Sequence, residues 1–301
     1  MFRVTRGETL ELSDDGARSA VSIVPERGAI VTRFRARERE LLYLDDATLR
    51  DRTKNVRGGI PILFPSPGKL EGDHWKRGGK EGAMKQHGFA RDLPWVVGDA
   101  STEDAARVTL TLASSERTHA MYPWEFVLSV TYSLRGERLR LDVRVANKDK
   151  DPMPFGFGLH PYFFVTDKGH AHIATRATRA YDNVTKETVP FRGFDLTLPE
   201  VDLHLLDHGS ADTKLTYPND GSSDDPSDGK IGPGSGQEQT KSLAIRASPE
   251  FTRWVVWTLA GKNFVCVEPW SAPGNALNTG ESLTILAPGA AHAMFVEFDA
   301  A

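Results

Sequence analysis

Two short stretches carry the side chains best able to move a proton. Glu268 ends the apolar run in "NFVCVEPW", residues 263–270, where a carboxylate either faces a pocket or caps a strand. Alternation in "VCVE" puts Val265 and Val267 on one face and Cys266 and Glu268 on the other. An acid that shares a face with a cysteine inside a hydrophobic strand points to a pocket, and burial there raises its pKa. His160 lies in "FGFGLHPYFFV", residues 155–165, among Phe155, Phe157, Tyr162 and Phe163. That setting suits a hydrogen-bonded core imidazole or a general acid–base group.

Basic residues cluster in two further stretches. "QHGFAR", residues 86–91, offers His87 and Arg91 as polar ligand contacts, the alternative being a charged turn after Gly88. "VRGGIP", residues 56–61, offers Arg57, and Gly58 and Gly59 predict a close approach of backbone to ligand. Two guanidinium groups suit a dianion.

Other chemistries lack their parts. "HAH" puts His170 and His172 on one strand face, but the first acid after it is Asp182, too far along for a cupin-type ligand set. Glu268 has no acidic partner in an equally apolar setting, as a glycosidase would need. Cys266 has no nucleophile motif around it, and no glycine-rich phosphate loop of P-loop or Rossmann type occurs. The expectation is chemistry with no metal and no cofactor.

The elements that must position these groups read as strands. "FVLSVTYSL", residues 126–134, alternates Leu128, Val130, Tyr132 and Leu134 with Ser129, Thr131 and Ser133. After the turn "RGE", "LRLDVRVAN" sets Leu139, Leu141, Val143 and Val145 against Arg140, Asp142 and Arg144. This is a hairpin with one face in a core and one in water. Residues 107–114, 242–248 and 293–299 read alike, and no helical periodicity of ten residues stands out. The prediction is an all-β sandwich over residues 1–301 as one domain. "NDGSSDDPSDGKIGPGSGQEQTK", residues 219–241, has a single aliphatic residue, Ile231, and reads as an exposed hairpin insertion, with a lid as the functional alternative.

Composition bounds the partners. Of 301 residues, 39% are hydrophobic and 26% charged, with a net charge of −4, which offers no attraction to nucleic acid or membrane. The first 30 residues carry charges throughout and no apolar core of signal-peptide length. One cysteine excludes an internal disulfide and fits a reducing compartment, so a cytoplasmic protein is expected.

Taken together and in this order, "NVRGGIPILFPSPG", "KQHGFARDLPW", "FGFGLHPYFFV" and "FVCVEPW" resemble the aldose 1-epimerase, or galactose mutarotase-like, family over residues 24–298. The branches most similar are the bacterial aldose epimerases and the hexose-6-phosphate mutarotases. The resemblance implies a largely antiparallel β-supersandwich, a sugar cleft on one sheet, no cofactor, and a monomer or homodimer acting on a small sugar or sugar phosphate. It implies Glu268 as the base on the C1 hydroxyl, His160 as the acid at the ring oxygen, and Arg57, His87, Arg91 and Asp202 as substrate contacts. Arg57 and Arg91 fall where the phosphate branch clasps its phosphate, while Trp270 stands where that branch tends to have glycine. A sugar-binding β-sandwich without catalysis is the alternative, against which the retention of both proton-transfer groups argues.

Overall fold

A computed structural model describes residues 1–37, 39–218 and 240–300. Its strands form two eight-stranded sheets, a five-stranded N-terminal sheet and two small two-stranded sheets. The three described α-helices are four or five residues long. None is long and apolar enough to cross a membrane.

The hairpin predicted around residues 135–137 forms as the strands Phe126–Arg135 and Arg138–Asn147, in the centre of one large sheet. Val130 stands opposite Val143 and Tyr132 opposite Leu141, all buried. On the other face Thr131 shares a hydrogen bond with Thr109 at 2.8 Å, and Arg140 pairs with Glu297 at 2.9 Å. Period-two alternation thus produces one dry face and one hydrogen-bonded wet face.

The second large sheet runs in the order Glu187–Pro190, Arg179–Asp182, Glu200–Leu205, Arg253–Leu259, Phe264–Trp270, Gly158–Leu159, Ile62–Leu63. The strand Tyr162–Phe164 also pairs with Phe264–Trp270. The sheets meet through contacts such as Phe163 on Phe298, with ring centroids 5.8 Å apart. One continuous apolar cluster joins both sheets to Leu12, Val21 and Phe34 of the N-terminal sheet. With one face in this cluster, the site-bearing sheet has its other face free to line a cleft.

Of the insertion expected over residues 219–241, residues 219–239 lie outside the described residues. The strands on either side, Asp212–Pro218 and Thr240–Ala247, pair antiparallel with Pro218 opposite Thr240.

Leu141 is wholly buried between the sheets. Leu141→Ala should lower unfolding free energy by about 2–5 kcal/mol, the range for a core leucine truncated in a well-packed site. A urea titration followed by circular dichroism reads this loss; a change under 1 kcal/mol would mean the cluster does not carry the fold.

Candidate active site

The strand Phe264–Trp270 is buried along its whole length. On one side it pairs with Arg253–Leu259; on the other it meets two short strands, Gly158–Leu159 and Tyr162–Phe164. Pro161 separates those two and brings no N–H to the ladder. Gly158 stands opposite Trp270 and Tyr162 opposite Cys266, so His160, midway between, falls opposite Glu268. The two side chains rise from the same face, with His160 Nε2 3.4 Å from Glu268 Oε1. On its other edge the His160 N–H donates to the carbonyl of Pro61, continuing the register of Gly158–Leu159 against Ile62–Leu63.

Glu268 is 1% exposed. Burial, then the charge of Asp202, pushes its carboxyl well above the usual carboxylate range. The Trp270 indole N–H donates to Oε2 at 3.0 Å and works in the opposite direction, as does Arg91. Burial also pulls His160 well below the ordinary histidine value, helped by His87 and then Arg91. Both shifts favour the neutral form of each group. Tyr162 stacks on the His160 ring at 4.7 Å and fixes its plane.

The pair sits in a cleft of about 940 Å³, and all six residues named from the sequence line it: Arg57, His87, Arg91, His160, Asp202 and Glu268. His87 has positive φ, as does Gly88, whose absent Cβ leaves room for the Phe64 carbonyl oxygen 2.1 Å from where it would be. Its ring packs edge-on against His160 at 5.4 Å and against Trp270 at 5.9 Å. Burial and Arg91 pull it down to about 3, so the imidazole is neutral, with Nδ1–H donating to the carbonyl of Pro67. Arg91 donates to the carbonyl of Gln86 at 3.0 Å. The guanidinium of Arg57 lies over the Trp257 ring at 5.7 Å. Asp202 accepts from Asn183 at 2.6 Å and lies 3.3 Å from His204 Nε2.

One expectation is corrected. Gly58 and Gly59 do not open the backbone to a ligand. A Cβ on Gly58 would lie 2.5 Å from the Tyr43 carbonyl oxygen, and one on Gly59 would lie 2.3 Å from that of Val31. Their role is close backbone packing behind Arg57. His170 and His172 fall away from the cleft, and only His172 lies in a strand, His172–Ile173. His170 instead pairs with Asp167 at 2.7 Å.

The sequence reading missed residues that complete the site. Trp270 holds Glu268, and His204 packs on Trp270 at 5.2 Å while meeting Asp202. Asn183, Trp257, Arg253 and Glu281 also line the cleft. The signal for His204 and Trp270 was present, since each stands two residues along a strand from a named acid, on the same face.

A polar cleft on one sheet of an antiparallel double-sheet sandwich is the galactose mutarotase-like fold. The chain belongs to the aldose 1-epimerase family, which residues 8–298 match. It is similar to the Slr1438 protein of Synechocystis sp. PCC 6803, at 36% identity over 99% of this chain and 97% of that one, with a TM-score of 0.88. A galactose mutarotase-like protein from Lactobacillus casei ATCC 334 shares the fold at 22% identity, covering 99% of both chains, with a TM-score of 0.71. Two curated relatives provisionally named glucose-6-phosphate 1-epimerase match in part. That of Cenchrus ciliaris is 31% identical over 56% of this chain, and that of Escherichia coli K12 is 30% identical over 55%. The matches span about half of those relatives' own length, 51% and 52%.

Trp270→Phe keeps an aromatic ring and removes the indole N–H that donates to Glu268 Oε2. A hydrogen bond to a charged group is worth about 1.5–3 kcal/mol, so the carboxyl should titrate roughly 1–2 pH units higher in the variant. Carbon-13 NMR of the glutamate side chains detects this without reference to activity. An unmoved midpoint would show that the indole does not tune the acid.

Proposed function

We propose that the protein is an aldose 1-epimerase that interconverts the α and β anomers of a hexose or hexose 6-phosphate. The observation that carries this reading is the buried cross-strand pair of Glu268 and His160, 3.4 Å apart in a polar cleft with room for a sugar. Opening a cyclic hemiacetal needs one proton removed from the C1 hydroxyl and one delivered to the ring oxygen. In the less populated ion-paired form of the couple, the Glu268 carboxylate takes the first as the electrons of that O–H bond form the aldehyde. The C1–O5 bond breaks towards O5, which takes a proton from protonated His160. Rotation about C1–C2 presents the other face, and the same steps in reverse close the ring.

The pair holds one proton before and after each transfer. It passes from carboxylate with imidazolium to carboxylic acid with imidazole as the ring opens. Burial favours the second, neutral combination, so the low-polarity setting stabilises the state that ring opening creates. Activity should follow a bell in pH whose two limbs belong to the pair rather than to either residue.

Asp202, His204 and His87 supply hydroxyl contacts on the remaining walls. Arg57 and Arg91 receive the 6-phosphate where the substrate carries one, and the partial relatives' provisional names support that choice.

Glu268→Gln and His160→Asn should each lower kcat by ~10²–10⁴-fold, the usual worth of one proton-transfer group. The double variant should be little worse than either single one, because the two act as a unit. Polarimetry of α-glucose and α-glucose 6-phosphate relaxing to equilibrium measures both, and wild-type rates in either single variant would defeat the mechanism. A sugar-binding protein without catalysis would show binding with no acceleration in the wild type.

Arg57→Ala should raise KM for glucose 6-phosphate by ~10–100-fold, the loss of one charge-assisted contact, and leave kcat nearly unchanged. Free glucose should be affected far less, and inorganic phosphate should compete in the wild type. A wild-type preference for the free sugar that Arg57→Ala leaves intact would remove the phosphate from this reading.

A further inference from the structure

The proposed proton transfers leave one buried, reactive side chain beside the pair unused. Cys266, the only cysteine of the chain, is fully buried two residues before Glu268 on the same strand face. It stands opposite Tyr162, whose ring stacks on His160. The register that brings His160 to Glu268 therefore brings the sulfur as well. Ligand atoms of His160, Cys266 and Glu268 all lie within 4.8 Å of one another, and all three residues are buried. Among the described residues no other three histidine, cysteine or acidic side chains converge in this way.

The donor set has a definite preference. Metal–ligand bonds of about 2.0–2.3 Å in a tetrahedral zinc site place neighbouring N, O and S donors roughly 3.3–3.6 Å apart. His160 Nε2 and Glu268 Oε1, at 3.4 Å, already have that spacing. Turning the Cys266 and Glu268 side chains by about 1 Å closes the rest of the triangle to the spacing such a site demands. A thiolate, an imidazole and one carboxylate select zinc, cadmium or cobalt over magnesium or calcium. His160 and Glu268 line the cleft and Cys266 does not, so a fourth, water-filled position would face the cleft. Arg57 and Arg91 oppose a dication. The charges of Glu268, Asp202 and the thiolate offset them, and the cation must displace a thiol proton that burial, then Glu268, holds well above its ordinary range.

We propose that the protein binds one thiophilic divalent cation of the zinc type through Cys266, His160 and Glu268, and that the cation blocks anomerisation by occupying both proton-transfer groups. The blocking half rests on the epimerase reading; the binding half does not.

Cobalt(II) is the direct probe, because a thiolate ligand gives a near-ultraviolet charge-transfer band that imidazole and carboxylate ligands do not. Titration of the full chain should raise that band to a plateau at one equivalent of Co²⁺. Cys266→Ala and Cys266→Ser should abolish it, and Zn²⁺ should displace the cobalt. Zn²⁺ in slight excess over the protein should then inhibit wild-type anomerisation, and a chelator should restore it. Each variant, compared with its own uninhibited rate, should need at least ~10-fold more Zn²⁺ for the same inhibition. Absence of the band in folded wild-type protein would overturn the proposal, as would equal Zn²⁺ sensitivity in wild type and both variants. A band in a protein that accelerates no anomerisation would uphold the cation site and remove the epimerase reading instead.

Discussion

A carboxyl group that is 1% exposed carries the cost of its own desolvation, and the architecture of the site is arranged around Glu268 under that constraint. The residue lies on a strand whose other face packs into the main apolar cluster through Val265 and Val267. The carboxyl is therefore sealed from behind by the sandwich and open only towards the cleft. Two contacts offset part of the cost: the Trp270 indole at one oxygen and the His160 ring at the other. What remains uncompensated appears as the raised pKa, and a carboxylate with a raised pKa is a stronger base than a solvated one.

The neighbouring strand carries His160 to that carboxyl. Pro161 splits it into Gly158–Leu159 and Tyr162–Phe164, yet the His160 amide to the Pro61 carbonyl and the Tyr162 amide to the Gly59 carbonyl keep the register of the pairing with Ile62–Leu63. Small residues then let the surrounding chain close in. The missing Cβ of Gly158 would lie 2.8 Å from the Trp270 ring, and that of Gly28 only 2.4 Å from the Arg91 backbone. These close approaches fix the indole and the backbone that carries Arg91.

The cleft is electrically two-sided. Arg57 and Arg91 lower the proton affinity of His160, while Asp202 raises that of Glu268. The opposed fields push the two members of the pair towards the same neutral state. Asp202 is itself tied to Asn183 and His204, and His204 packs on Trp270, so the acid that tunes Glu268 and the indole that holds it belong to one connected wall.

Much of this was legible in the amino-acid order. Alternation with period two is a local property, and it determined the hairpin around residues 135–137, the β class and the opposite faces of Val267 and Glu268. The six residues picked out for the site all reach one cleft, although their convergence was an inference from resemblance to a family. Tertiary structure decided the rest because it depends on cross-strand register, which no local pattern encodes. Register puts residue 160 opposite residue 268, sets Cys266 beside both and turns Trp270 into a hydrogen-bond donor. Gly58 and Gly59 show the limit most plainly. Their freedom of backbone was readable, but whether ligand or chain would occupy the space depended on the Tyr43 and Val31 carbonyls, which only folding brings there.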